Sequence, residues 1–208
     1  MKKILLIGTG GTIASRQLGE GLSPALSAPE LLRYVPDVRS FCEVDVLQLC
    51  NIDSTNMEPS IWCALAAAIR EHYDRYDGFV VTHGTDTMAY TSAALSYMVQ
   101  NSRKPIVITG SQKPIDTDGT DAKPNLRDSL FYACDGLSED VSLVFDGNVI
   151  AGTRAKKMMA RSFNAFYSVN FPVLARIQDR HIIRYIPPSP PRGPLSFQEE
   201  LSDSVCVM

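Results

Sequence analysis

Short apolar runs alternate along the chain with longer segments whose apolar residues recur at helical spacing. Apolar runs predict strands at residues 4–7, 79–81, 106–108 and 141–145, and alternating apolar and polar residues predict a further strand at residues 44–49. The longest helical pattern covers residues 59–76. Strands that alternate with helices are typical of a mainly parallel sheet covered on both faces. The pattern therefore predicts an α/β protein with three layers, α/β/α.

The segments between these runs carry their own signals. Residues 14–26 are polar, small and rich in glycine, which predicts a mobile loop. Ser27 and Glu30 have the spacing of a capping box at the start of a helix. Asp86 is placed to cap the helix that follows the third strand, and a further helix is expected to begin near Asn125.

The composition changes abruptly at residue 187. Five prolines fall between residues 187 and 194, which predicts a stiff and extended linker. The remaining residues are too few to form a second domain. We therefore expect residues 1–186 to form one domain, and residues 187–208 to be a linker and the start of a second domain that is absent from this chain.

Composition and charge exclude several classes of protein. The chain has 208 residues, of which 45% are hydrophobic, and a formal net charge of -3, so a nucleic-acid-binding protein is not expected. The five cysteines and three histidines are scattered without ligand spacing, so we expect no metal site and no disulfide framework. The first apolar run is too short for a signal peptide or a membrane span. We expect a cytoplasmic protein with no membrane partner.

Three turns rich in glycine and hydroxyl groups follow predicted strands, at residues 8–14, 82–87 and 109–112, and a fourth polar turn, at residues 51–56, follows the second strand. The carboxyl ends of parallel strands meet at one edge of a sheet, where ligands bind in open α/β folds. The four turns therefore indicate a site for a small polar ligand. The first turn does not fit a dinucleotide fingerprint, because Ile13 stands where the third glycine would be.

Two of these turns belong to longer motifs. GTGGTIA at residues 8–14 and THGTDTM at residues 82–88 resemble the paired signatures of the bacterial-type L-asparaginase family. Supporting matches are DSTNM at 53–57, TGSQ at 109–112 and RAKK at 154–157. The resemblance covers about the first 186 residues in order, and implies the N-terminal, catalytic domain of a cytoplasmic, type I-like member.

The resemblance implies an amidohydrolase that converts L-asparagine to L-aspartate and ammonia without a cofactor. Amide hydrolysis needs a nucleophile, a proton acceptor and donors for the oxyanion. The resemblance assigns Thr12 as the nucleophile. It also assigns a second catalytic group, which consists of Thr85, Asp86 and Lys157. In this group Lys157, with its charge balanced by Asp86, would help to remove a proton from Thr85 or from a water molecule.

Two adjacent lysines compete for this role. In the family pattern an aromatic residue follows the catalytic lysine by nine positions, and Phe166 has that spacing from Lys157. We therefore expect Lys157 to be the catalytic lysine, with Lys156 as the alternative.

The resemblance also implies the substrate contacts. Ser54 and the backbone of Thr55 would bind the carboxylate of the substrate, and Asp86 would bind its ammonium group. The remaining expected contacts are Asp53, Gly84 and Gly11. Ser54 has a structural alternative, because a serine at this position could cap the helix near Pro59.

One position departs from the family pattern. Relatives carry a tyrosine in the loop after the first signature, where it helps to activate the nucleophile, and Leu22 stands at the comparable place. This departure leaves open a non-catalytic protein that binds a small amino acid. A second enzymatic alternative is an ammonia-generating subunit of a tRNA-dependent amidotransferase. The family's sites are completed by a neighbouring subunit, so the resemblance implies a homo-oligomer, a dimer or tetramer, for the full-length form.

Overall fold

A central sheet organises the computed structural model, which describes residues 1–18, 21–188 and 193–202. The strands are β1 Lys2–Gly10, β2 Ser15–Leu18, β3 Gly21–Pro24, β4 Cys42–Ile52, β5 Gly78–Thr82, β6 Val99–Gln100, β7 Ile106–Thr109, β8 Val141–Phe145, β9 Asn148–Ala151, β10 Ala155–Lys157, β11 Phe166–Ser168, β12 Ala175–Gln178, β13 His181–Arg184 and β14 Ser196–Phe197. The α-helices are α1 Ala28–Leu31, α2 Pro59–His72, α3 Met88–Met98 and α4 Ala122–Ala133.

Eight strands form the central sheet in the order β13-β12-β9-β8-β7-β5-β1-β4. The five strands from β4 to β8 in this order are parallel. The three strands at the other edge are antiparallel to their neighbours. The expected mainly parallel sheet is therefore confirmed.

Two separate cores cover the two faces of the sheet. In β1, Ile4 and Leu6 pack on the face that carries α1 and α4, whereas Leu5 and Ile7 pack on the face that carries α2 and α3. Side chains alternate between the faces of a strand, so a strand with both faces buried is apolar throughout. This arrangement confirms the three-layer α/β/α architecture.

The direction of chain progression reverses at β1. The next strand of the central sheet, β4, pairs with one side of β1, and β5 pairs with the other side. Such a reversal opens a crevice at the carboxyl ends of the two central strands, where ligands bind in folds of this class. Gly8 of β1 pairs with Thr82 of β5, so the turns that follow these two strands begin side by side.

Two paired strands, β2 and β3, lie within residues 14–26, where a mobile loop was predicted. Strands β2 and β3 pair antiparallel, with Ser15 opposite Pro24. The sequence pattern did not predict these strands, because their residues are small and polar and backbone pairing requires no apolar face. The backbone of Leu22 lies in β3, but its side chain lies outside the described part of the structure, and so does the expectation that depends on it.

Two helix starts differ from the sequence predictions. Thr87, not Asp86, occupies the N-cap position of α3, because the Asp86 carboxylate is engaged elsewhere. Helix α4 begins at Ala122, before the expected Asn125, since Pro124 is tolerated within the first helical turn. The Ser27 signal is confirmed, because the Glu30 carboxylate accepts the Ser27 N–H at 2.8 Å, although α1 is only one turn long.

The segment after the prolines packs against the same domain. Strand β14 pairs antiparallel with β6, and the ring of Phe197 meets that of Tyr73 edge-on at 5.7 Å. Glu199 forms an ion pair with Arg70 at 2.7 Å. The assignment of residues 187–208 to a linker that leads into a second domain stays a prediction.

The cysteines and acidic residues of the described part of the chain form neither disulfides nor a metal cluster. Cys42, Cys50, Cys63 and Cys134 are free thiols. No cluster of three or more histidine, cysteine, aspartate or glutamate side chains within residues 1–18, 21–188 and 193–202 is arranged to hold a metal ion. Within the same residues, no helix has the length and hydrophobicity that a membrane crossing needs.

Asp128 on α4 makes the stability of the fold depend on pH. Its side chain is only 18% exposed, and burial raises its pKa from 3.8 to about 6, against the opposing effect of Arg127. The folded state therefore binds a proton more tightly than the unfolded state, and the free energy of unfolding falls as pH rises from about 4 to 6. We expect Asp128→Asn to stabilise the protein by up to about 3 kcal/mol at pH 8. Urea denaturation at pH 4 and pH 8 measures this difference.

The exposed Asp118 offers a matched control. Asp118→Asn is expected to leave the pH dependence of the unfolding free energy as it is in wild type. An Asp128→Asn variant with the wild-type pH dependence would contradict the role assigned to this buried carboxyl group.

Candidate active site

The turns after β1, β4 and β5 meet at the reversal point through two glycines. Gly11 has a φ of 78°, and a Cβ atom built on it would lie 2.2 Å from the backbone nitrogen of Gly84. A Cβ atom on Gly84 would lie 2.5 Å from the Oγ of Ser54. The Gly11 N–H also donates to the carbonyl of Ile52 at 2.9 Å. Only residues without a side chain allow this approach of the three turns.

Thr12 stands directly after this contact, as the first residue of a 3₁₀ turn that ends at Ala14. Its side chain is half-buried. Within residues 1–18, 21–188 and 193–202, neither its hydroxyl nor its backbone N–H has a hydrogen-bond partner. The first N–H groups of a helical turn are left free by its geometry. Thr12 therefore presents a hydroxyl and an N–H that a ligand can engage.

Lys157 joins two residues of the turn after β5. Its Nζ donates to Thr85 Oγ1 at 2.8 Å and to Asp86 Oδ1 at 2.7 Å. The lysine side chain is only 18% exposed, whereas that of Asp86 is 58% exposed. This ion pair explains why Asp86 does not cap α3. The structure thus brings together the three residues expected to form the second catalytic group, whose catalytic role stays a prediction.

In the hairpin of β10 and β11, Lys157 faces Thr85 and Asp86, and the choice of Lys157 over Lys156 as the catalytic lysine stays a prediction. Lys157 lies opposite Phe166 in the ladder, and Phe166 is buried against Phe145 with ring centroids 5.0 Å apart. Side chains alternate along a strand, so Lys156 points to the other side, where it is exposed. The aromatic residue nine positions after Lys157 is therefore the residue that anchors its strand.

The turn after β4 presents Ser54. Asp53 Oδ1 accepts hydrogen bonds from both the N–H and the hydroxyl of Thr55, each at 2.8 Å. Ser54 is only 3% exposed, its carbonyl accepts the hydroxyl of Thr87 at 2.7 Å, and its own hydroxyl has no partner among the described residues. The Thr55 N–H, which was expected to bind a substrate carboxylate, is already occupied by Asp53.

The alternative that Ser54 caps the helix near Pro59 is wrong. Glu58 occupies the N-cap position of α2, and Asp53 caps the 3₁₀ turn that contains Ser54. The Ser54 hydroxyl therefore caps neither α2 nor the 3₁₀ turn in which Ser54 lies.

A buried chain of hydrogen bonds supports the turn after β5. The Nδ1 of His83 lies 2.7 Å from the carbonyl of Gly84, and its Nε2 lies 2.8 Å from the hydroxyl of Thr91. That hydroxyl also accepts the indole N–H of Trp62 at 2.8 Å. A carbonyl only accepts, so Nδ1 carries the proton. Burial lowers the pKa of His83 to about 4, so the ring is neutral and fixes the backbone of Gly84.

Gln112, in the turn after β7, is a site residue to which sequence reasoning assigned no role. Its Oε1 lies 3.3 Å from Thr85 Oγ1, and its Nε2 lies 3.1 Å from the carbonyl of Ser162 and 3.4 Å from that of Met159. Its N–H donates to the Asp121 carboxylate at 2.8 Å. The TGSQ match pointed to this turn but could not indicate which groups the glutamine contacts.

The fold and this site define a three-layer α/β protein with a hydroxyl-rich crevice at the reversal point of its parallel sheet. The model of the asparaginase N-terminal domain matches residues 3–189, so the chain belongs to the asparaginase family. The chain is 40% identical over 205 residues to an L-asparaginase of Thermococcus kodakarensis, an alignment that covers 98% of the chain and 62% of that relative. It is 38% identical to L-asparaginase 1 of Escherichia coli, over 92% of the chain and 58% of that relative.

Solved structures agree with this assignment. The thermostable L-asparaginase of T. kodakarensis superposes with a TM-score of 0.89 at 38% identity, over 96% of this chain and 61% of that one. The probable cytoplasmic L-asparaginase of Campylobacter jejuni superposes with a TM-score of 0.81 at 29% identity, over 89% of this chain and 57% of that one. The chain therefore spans roughly three fifths of the length of the relatives it matches.

Replacement of Gly11 tests the close approach of the turns. Gly11→Ala would place a methyl group against the backbone of Gly84, and it would force alanine into a positive-φ conformation that is essentially restricted to glycine. We expect the free energy of unfolding to fall by more than about 2 kcal/mol in urea denaturation. Gly136→Ala is the matched control, because a Cβ atom there meets nothing within 4 Å. Its expected change is within about 0.5 kcal/mol, and equal effects of the two substitutions would contradict the contact.

Proposed function

We propose that the protein hydrolyses the side-chain amide of L-asparagine to L-aspartate and ammonia, with Thr12 as the nucleophile. The observation that carries this proposal is the triplet of Lys157, Thr85 and Asp86, held by contacts of 2.8 and 2.7 Å beside the glycine turn of Thr12. The two relatives named L-asparaginase, at 38 and 40% identity, support the reaction and the substrate.

In the first step the Thr12 hydroxyl attacks the carbonyl carbon of the amide, and its proton goes to the departing nitrogen, which leaves as ammonia. The negative charge that develops on the carbonyl oxygen needs donors fixed in advance. The backbone N–H groups of Thr12 and Thr85 have no acceptor within the described residues and supply these donors. The product of this step is an ester between the aspartyl group and Thr12.

In the second step a water molecule cleaves this ester, assisted by Thr85 and Lys157. Asp86 balances the charge of Lys157. Its carboxylate is also largely exposed, so it is accessible to the ammonium group of the substrate. The unpaired hydroxyl of Ser54 receives the substrate carboxylate. Gly84 and Gly11 line the crevice with backbone, while Asp53 and Thr55 hold the turn that presents Ser54.

We also propose that the full-length protein is a cytoplasmic homo-oligomer, with its second domain after residue 187 and neither nucleic acid nor a membrane as a partner. A row of apolar side chains is exposed beside Lys157, as an interface between copies would require: Met158, Met159, Phe163, Tyr167, Val169 and Phe171. The greater length of the relatives supports the second domain, and the structural relative described as cytoplasmic supports the location.

A second candidate function is an ammonia-generating component of a tRNA-dependent amidotransferase. The chain is 37% identical to one of the subunits of the glutamyl-tRNA(Gln) amidotransferase of Pyrococcus abyssi, over 89% of the chain and 44% of that relative. A third, a non-catalytic amino-acid-binding protein, is favoured by the Thr12 hydroxyl, which has no activating partner among the described residues.

Replacement of Thr12 separates these functions. Thr12→Ala removes the nucleophile, so ammonia release from L-asparagine is expected to fall by about 1,000-fold or more, while calorimetry still detects L-aspartate binding. Thr153→Ala, at an exposed turn, is the matched control and is expected to release ammonia at the wild-type rate.

The other outcomes of this experiment distinguish the three candidate functions from one another. Equal ammonia release by Thr12→Ala and wild type would exclude Thr12 as the nucleophile. Aspartate binding by a wild type that never releases ammonia would favour the binding protein. Ammonia release that appears only with a partner protein and charged tRNA would favour the amidotransferase.

The two lysines provide an internal comparison. Lys157→Met keeps the length of the side chain but removes the hydrogen bonds to Thr85 and Asp86, so kcat for ammonia release is expected to fall by about 100-fold or more. Lys156→Met, on the exposed side of the same strand, is expected to keep kcat within about twofold of wild type. A larger loss from Lys156→Met than from Lys157→Met would reverse the assignment.

A further inference from the structure

The side chain of Gln112 lies between Thr85 and the chain segment that follows Lys157. Its Nε2 faces two carbonyl oxygens, those of Ser162 and Met159, at 3.1 and 3.4 Å. Carbonyl oxygens only accept hydrogen bonds, so the NH₂ group must face them and Oε1 must face Thr85. The orientation of this amide is therefore determined by its surroundings.

The orientation of Gln112 determines that of the Thr85 hydroxyl. The amide oxygen only accepts, so Thr85 donates its proton to Gln112 across the 3.3 Å contact. Lys157 Nζ donates to the same hydroxyl oxygen at 2.8 Å. One lone pair of Thr85 is thus engaged by the lysine, and the other remains for a water molecule or a substrate group.

Hydrogen bonds to Asp121 hold the backbone of Gln112 in place. The buried Asp121 carboxylate, at the N-cap position of α4, accepts the N–H groups of Gln112 and Lys113 at 2.8 and 3.0 Å. The ammonium of Lys113 also lies 5.4 Å from the centre of the Phe163 ring. The turn after β7 is therefore tied to α4 on one side and to residues 159–163 on the other.

We propose that Gln112 is a positioning residue of the second catalytic group: its amide oxygen sets the direction of the Thr85 hydroxyl, and its NH₂ group clamps residues 159–162 behind Lys157. This inference rests on the proposed amide hydrolysis. In this proposal Gln112 acts through Thr85 and Lys157 and not on the reacting bond itself. Loss of either contact changes the geometry of the 2.8 Å bond between these two residues.

Two substitutions separate the two contacts. Gln112→Glu keeps an acceptor for Thr85 but loses both donors to the carbonyl oxygens, whereas Gln112→Leu loses the acceptor and the donors. Gln178→Leu, at an exposed position of β12, is the matched control. All four proteins, including wild type, are prepared as the full chain and compared by ammonia release from L-asparagine between about pH 5 and pH 10.

Gln112→Leu is expected to lower kcat by about 10- to 100-fold with KM within about threefold of wild type, because a misplaced catalytic group affects turnover more than binding. Gln112→Glu is expected to lower kcat less, because it keeps an acceptor for Thr85, and to change the pH–rate profile, because it places a titratable carboxyl group beside the Thr85 hydroxyl. A purely structural role would leave the shape of the profile unchanged. Wild-type kcat and profile in both variants would overturn the proposal.

Hydrogen exchange tests the clamp without reference to activity. The Met158 N–H donates to the Ala165 carbonyl at 2.8 Å across the clamped segment. Both Gln112 variants are expected to speed exchange at Met158 by about tenfold, whereas Gln178→Leu leaves it unchanged. If wild type releases no ammonia, the proposed function fails and the exchange rates still decide the clamp. Unchanged exchange at Met158 in both variants would overturn it.

Discussion

The contact between the backbones of Gly11 and Gly84 is the constraint on which the site depends. It lies where the chain reverses direction across the sheet, so it joins the turns that follow the two central strands. Because neither residue has a side chain, Ser54 of a third turn also reaches the same point. Thr12 and Thr85 each follow one of these glycines directly. The position of both hydroxyl groups is therefore a consequence of how closely two stretches of backbone approach each other.

Lys157, from a part of the chain distant in sequence, completes the second group of site residues with Thr85 and Asp86. Lys157 contacts Thr85 and Asp86 across 72 and 71 positions of sequence. Its strand is short and is held by a ladder with β11, in which the buried Phe166 serves as the anchor. The apolar core on this face of the sheet thus positions a charged side chain, while Asp86 compensates its charge in a largely exposed location.

Neutral polar groups provide the rigidity around these residues. His83 stays uncharged because burial lowers its pKa to about 4, and so it can hold the Gly84 carbonyl through one nitrogen and Thr91 through the other. Gln112 plays a corresponding part beside Thr85, with both ends of its amide engaged. A polar group whose donors and acceptors are all engaged is held in one geometry, because any other orientation leaves a donor or an acceptor unpaired.

The sequence by itself determined the layers of the fold, because runs of apolar residues report burial on both faces of a strand. It also determined the turns of the site, since glycines and threonines recur there in two long motifs. Only the tertiary structure decided the pairing of β2 with β3, the pairing of Asp86 with Lys157 in place of a helix cap, and the contacts of Gln112. Local patterns record which residues are buried or capable of a turn. The partner that a polar group selects depends on residues far away in sequence, and that choice exists only once the chain is folded.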